Sequence, residues 1–129
     1  MAADRDLVAL VGAPFRGVSL NASTDSGAVT VVASDSGILF VNEYAGTTTY
    51  TLPTVSLCKG KWFGFYANVA NNIAITGGTT DVLTGGNTSA VVDADTVTLT
   101  GVVGGWGIII GDGTHFIFLA GTGTWTASG

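Results

Sequence analysis

Charge is what this sequence has least of. Of 129 residues only 10% are charged, against about 25% in an ordinary globular domain. The four basic residues are Arg5, Arg16, Lys59 and Lys61, and the net charge is -5. They form no basic stripe able to neutralise phosphates, which excludes nucleic acid as a partner. The same shortage argues against docking on an anionic membrane. Cysteine is nearly absent too. Cys58 stands alone, so no intrachain disulfide forms, and it reads as a small buried hydrophobe. Long apolar runs are missing: none approaches the ~20 residues of a membrane helix. Leu7–Val11 is shorter than the ~7–15-residue apolar stretch of most secretory signals, so the chain is expected to be made and folded in a cytoplasm.

The shortage of histidine limits chemistry in the same way. His115 is the only one, and any serine or cysteine triad would have to run through it. No Gly-x-Ser-x-Gly elbow accompanies it. One Cys and one His are too few for a zinc centre. Asp81, Asn87, Asp93 and Asp95 lack the spacing of a calcium loop. Asp35, Glu43, Asp81 and Asp93 are mostly turn carboxylates, favoured there for backbone reasons. Gly104–Gly107 and Gly121–Gly123 lack the following helix and lysine of a phosphate loop. The expectation is a protein without catalytic residues, cofactor or metal.

What is present is β-forming sequence. Hydrophobic residues make up 47% and glycines number 20, and strong helix formers are scarce. Short β-branched and aromatic runs alternate with Gly, Asn, Asp and Ser clusters. That pattern predicts an all-β chain, an antiparallel β-sandwich or jelly-roll-like barrel with a short N-terminal arm. Strands are predicted at Leu7–Val11, Ala28–Ala33, Ile38–Asn42, Thr48–Leu52, Lys61–Ala67, Asn72–Thr76, Thr96–Thr100, Trp106–Ile110, His115–Leu119 and Gly123–Thr126. Gly77–Asp93 reads as a long loop or a weak hairpin around Val82-Leu83. Residues 1–20 read as an arm or a first strand, and 21–129 as a single sandwich domain.

Both faces of the last predicted hairpin are apolar. Asp112-Gly113 signals a two-residue type I′ turn, which pairs Ile110 with His115, Ile109 with Phe116, Ile108 with Ile117 and Trp106 with Leu119. One face carries Trp106, Ile108, Ile110, Ile117 and Leu119, and the other Ile109, Phe116 and Phe118. The run Lys61–Ala67 repeats the pattern, with Trp62 and Tyr66 opposite Phe63 and Phe65. A sandwich hairpin normally keeps one wet face, so one of these faces is expected to meet another subunit. Ile109, Phe116, Phe118, Phe63 and Phe65 are taken as the candidate interface, although a one-residue slip would exchange the faces. Tyr44 and Trp125 are the aromatics expected at the surface, where they would stack on a sugar ring.

The order of segments carries a resemblance. Gly37–Asn42 is an apolar strand, and Tyr50-Thr51-Leu52-Pro53 ends a strand in Leu-Pro. Trp62–Asn72 runs from aromatics into Asn and Ala, and Asn72–Gly78 reads Asn-Ile-Ala-Ile-Thr-Gly-Gly. A Gly111-Asp112-Gly113 hairpin leads to Phe116–Leu119. Over roughly the last two-thirds of the chain this order resembles modules of bacteriophage virion proteins. Such modules occur in tail fibres and capsid auxiliary proteins, and are usually β-sandwiches or jelly-roll-like folds, often trimeric. The resemblance transfers no catalytic residue. With no shaft, heptads or sequence repeat, the chain looks like a decoration (cement) protein. That resemblance implies a homotrimer in the virion that binds and stabilises the major capsid protein shell. The alternative is a tail-fibre tip recognising a cell-surface glycan. On the decoration reading the arm reaches the shell, with Leu7, Val8, Leu10 and Phe15 as apolar anchors and Arg5 and Arg16 pairing with acidic groups.

Overall fold

The computed structural model describes residues 15–79, 82–84 and 94–128. Their strands are β1 (Gly17–Asn21), β2 (Ala28–Thr30), β3 (Ile38–Asn42), β4 (Thr48–Thr51), β5 (Trp62–Ala67), β6 (Ile73–Thr76), β7 (Leu83–Thr84), β8 (Thr96–Leu99), β9 (Trp106–Gly111), β10 (Phe116–Ala120) and β11 (Trp125–Ser128). They build two packed sheets. Sheet A has the order β1-β3-β5-β9-β10-β7 and sheet B the order β11-β8-β6-β4-β2. The protein is an all-β sandwich.

The expectation of a wholly antiparallel arrangement is corrected. From β1 to β6 the chain alternates between the sheets, so strands adjacent within a sheet run parallel. A parallel pair needs a crossover, and here each crossover is a strand of the opposite sheet. The result is a stack of coils. Partners lie 21 residues apart in the first step, Gly17 on Ile38 and Ala28 on Thr49. They lie 25 apart in the second, Leu39 on Gly64 and Thr48 on Ile73. Each step keeps one offset in both sheets, so the turns from sheet A to sheet B have equal length. The longer second step is taken up between Leu52 and Trp62. Among the described strands antiparallel pairing joins β5-β9-β10 and β6-β8-β11, and an isolated antiparallel bridge links Leu83 to Ala94.

The core lies between the sheets. Phe40, Phe63, Phe65, Ile109, Phe116 and Phe118 of sheet A meet Tyr50, Ile73, Ile75, Val97, Leu99 and Trp125 of sheet B, all buried. Phe40 stacks on Phe65 at 5.5 Å, and the Tyr50 ring meets both edge-on at 5.6 and 5.2 Å. Such pairs add ~0.5–1.5 kcal/mol each beyond area burial. One end of the coil stack is polar inside. The Asn21 amide donates to Asn42 Oδ1 (2.9 Å) and to the Ser26 carbonyl (2.8 Å), while the Thr48 hydroxyl donates to the same Asn42 oxygen (2.9 Å). Asn21 and Asn42 are register partners, and the next coil places Ala67 there.

Two boundaries differ from expectation. Gly17–Leu20 belong to β1, so the domain begins before residue 21. The hairpin register is shifted by two: Ile110 pairs with Ile117 and Gly111 with Phe116. The cause is the Asp112 side chain. It accepts the backbone N–H groups of Thr114 (2.7 Å) and His115 (2.6 Å), which fixes Asp112 as the first turn residue rather than a central one. Gly113 then takes the central position with φ +95°, where glycine carries no steric cost. A two-residue shift preserves faces.

Candidate functional site

The five side chains expected at an interface, Ile109, Phe116, Phe118, Phe63 and Phe65, are each 0% exposed and form the core. The opposite set is the outer face of sheet A. Its cross-strand rows follow from the register. One row is Val18–Leu39–Gly64–Ile108–Leu119, the next is Leu20–Val41–Tyr66–Trp106, and the third is Trp62–Ile110–Ile117. No charged side chain interrupts these rows. Val18 is 65% exposed, Leu20 52% and Leu119 42%.

Two glycine notches seat the aromatics of this face. The Phe15 ring lies over Gly64, 2.5 Å from where a β-carbon would stand, and 5.0 Å from the Trp62 ring. The Trp106 ring covers Gly121 in the same way. Arg16 donates from Nε to the Ser36 carbonyl (2.6 Å) and from its terminal nitrogen to the Ser34 carbonyl. Phe15 and Arg16 are therefore held against their own domain, which corrects their assignment to a reaching arm. Arg5, Leu7, Val8 and Leu10 lie outside the described residues.

The outer face of sheet B is of a different kind. Thr30, Thr51, Thr76, Thr96 and Ser128 form one row, and Ala28, Thr49, Ala74, Thr98 and Thr126 the other. It is as free of charge as the outer face of sheet A, but hydroxyl-covered. The Thr-x-Thr spacings at 49–51 and 96–98 were the visible signal of this face.

Of the two aromatics expected to stack on a sugar, one is not at the surface. Trp125 is only 6% exposed. It packs 4.8 Å from the Phe118 ring and donates its indole N–H to the Thr122 carbonyl at 3.3 Å. Tyr44 is half-buried and lies over Gly27 and Gly46. Cys58 is buried as expected, and burial pushes its thiol pKa up while nearby Lys61 pulls the other way. Asp81 and Asp93 lie outside the described residues, and among those described no group of three or more metal-ligating side chains gathers.

Comparison with known proteins finds no family model that matches this chain and no curated protein with significant sequence similarity.

Proposed function

We propose that this chain is a non-enzymatic virion structural protein, a capsid decoration protein that binds and stabilises a phage shell as a homotrimer. The observation that carries the reading is the outer face of sheet A. Contiguous exposed apolar surface beyond a few hundred Å² marks an interaction site in soluble proteins. Here every outward row from β1 to β10 is apolar, and the chain has too little charge to keep such a face in water. A cyclic trimer could bury one part of the face between subunits and present the rest to the major capsid protein. Binding only the assembled shell stabilises that shell by mass action, and several copies on a symmetric lattice add avidity. The alternative reading, a tail-fibre tip for a cell-surface glycan, loses one of its two stacking aromatics with Trp125.

The test is the solution mass by light scattering at low and high salt, followed by co-sedimentation with cognate shells. The expected result is a salt-resistant trimer that pellets with shells, and a folded monomer for Leu119→Asp or Val18→Asp. A wild-type monomer that ignores shells overturns the proposal.

A further inference from the structure

We propose that the buried triad Asn21, Asn42 and Thr48 is a register lock, which holds β1 with Val18 and Leu20 on the outer face of sheet A against the pull of the core. The inference concerns how that strand is positioned and stands apart from the decoration reading.

The apolar pattern of β1 runs the wrong way round for its place. Its inward positions carry Gly17, Ser19 and Asn21, the register partners of Ile38, Phe40 and Asn42. Its outward positions carry Val18 and Leu20, which remain 65% and 52% exposed. A slip of one residue exchanges the two faces of a strand. Moving β1 one place forward would set Val18 beside the buried Phe40 and Leu20 beside Asn42, and would turn Asn21 out into the loop. Removal of apolar surface from water favours that slip. Among the described strands β1 ends sheet A, so no neighbour on its far side opposes it.

The triad opposes it. The Asn21 amide nitrogen donates to the Ser26 carbonyl at 2.8 Å and to Asn42 Oδ1 at 2.9 Å, with Thr48 Oγ1 a longer third contact at 3.3 Å. The Thr48 hydroxyl donates to the same Asn42 oxygen at 2.9 Å. A carbonyl only accepts, so Ser26 fixes which end of the Asn21 amide is nitrogen, and Asn21 then fixes which end of Asn42 is oxygen. Asn21 and Asn42 stand on neighbouring strands of sheet A and Thr48 on sheet B, which ties β1 across both layers. Leu20 in the place of Asn21 would bring no donor, leaving the Ser26 carbonyl without the amide and Asn42 with one donor fewer. Stranding buried polar groups in this way is costly.

Stability alone does not account for the triad. Asn42 is fully buried, and its Nδ2 has no hydrogen-bond partner among the described residues, a defect that an apolar trio of similar volume would lack. A network kept at that cost acts through geometry, because directional bonds distinguish registers that apolar contacts do not. The anchors before β1 leave the choice of face open. Phe15 sits in the Gly64 notch and Arg16 on the Ser34 and Ser36 carbonyls, but a bend at Arg16 separates both from the strand.

Cysteine pairs read the register. Adjacent strands stand ~4.8 Å apart, within the ~4.4–6.8 Å span between the α-carbons of a disulfide. In a Cys58→Ala background, Val18→Cys with Leu39→Cys, partners on the outer face, should bridge under mild oxidation. Ser19→Cys with Val41→Cys, on opposite faces, should not. Adding Asn42→Leu and Thr48→Val removes the partners of Asn21. The slipped strand then sets residue 19 opposite residue 41, and the preference between the two pairs should reverse. Adding Asn21→Leu as well fills the inward place with an apolar side chain and should restore the first preference. An unchanged preference in the double variant, loss of both bridges there, or no return in the triple variant overturns the proposal. If the double variant does not fold, Asn42→Ala alone, which removes the acceptor of Asn21, takes the same test: a reversal supports the lock, and an unchanged preference overturns it.

Discussion

Phe118 and Leu119 are consecutive residues of β10 that point to opposite sides of sheet A, and truncating each in turn measures which side is core. The Phe118 ring is 0% exposed. It sits between Gly107 and the Trp125 ring, 4.8 Å from the latter. Phe118→Ala removes that ring from a site walled by both sheets, where collapse is limited, so a loss of ~3–5 kcal/mol is expected. Leu119 keeps 42% of its surface in water. Full burial of a leucine stabilises by ~1.5–3 kcal/mol, and Leu119→Ala forfeits only part of the methyl groups that are covered, about 1 kcal/mol. A chain of this size loses ~3–6 °C in melting temperature per kcal/mol. Phe118→Ala should therefore melt ~10–25 °C lower and Leu119→Ala only a few degrees lower. The assay is urea and thermal unfolding followed by tryptophan fluorescence, with Trp125 reporting directly on the Phe118 site. Repeating it across protein concentrations separates folding from association, because a contact between subunits makes apparent stability concentration-dependent. Leu119→Ala should lose stability mainly at high concentration and Phe118→Ala at every concentration. Equal costs at all concentrations would refute the assignment of faces.

Two further outcomes follow from local geometry. Gly111 is buried, and a β-carbon there would run into the Cys58 carbonyl, with the Cys58 β-carbon 2.9 Å away; Gly111→Ala should cost ~1–3 kcal/mol by overpacking, and a denaturation midpoint equal to wild type would contradict it. The backbone N–H groups of His115 and Thr114 hold the Asp112 carboxyl below the usual aspartate range. A folded-state pKa below the unfolded one gives stability that is present at neutral pH and lost as the pH falls through the folded value. A carboxyl ¹³C titration of Asp112 should accordingly have its midpoint below that of an aspartate in an unfolded peptide, with the Thr114 and His115 amide shifts following it; a midpoint at or above the peptide value would contradict the turn geometry.

The sheet content was legible because period-two alternation and β-branched composition are local. Ile38–Asn42 appears as predicted, and β4 stops before Pro53, which has no N–H for a ladder. The two-faced hairpin was also legible: Ile108 and Ile117 fall on one side and Ile109 and Phe118 on the other. Which side faces inward was not, because both are apolar and alternation labels faces without ranking them. The coil stacking was hidden for a related reason. Val18, Leu39 and Gly64 occupy one structural position in successive coils, yet share no identity. The coils repeat a backbone path and an inward-outward pattern, not a set of residues. Trp125 was misplaced because its Thr and Gly neighbours look exposed, whereas its partners Phe118 and Thr122 are fixed by tertiary packing and by a local turn.

The sequence by itself determined that the chain folds as strands, where most of them lie, and that its apolar content outruns its charge. Those properties are set by side-chain chemistry and by spacings of two residues along the chain. Only the tertiary structure decided that the strands from β1 to β6 cross between sheets instead of pairing as hairpins. That crossing puts the phenylalanines of β5 and β10 in the core and leaves Val18, Leu20 and Leu119 at the surface. It depends on contacts between residues 21 or 25 positions apart, a separation that no local pattern encodes.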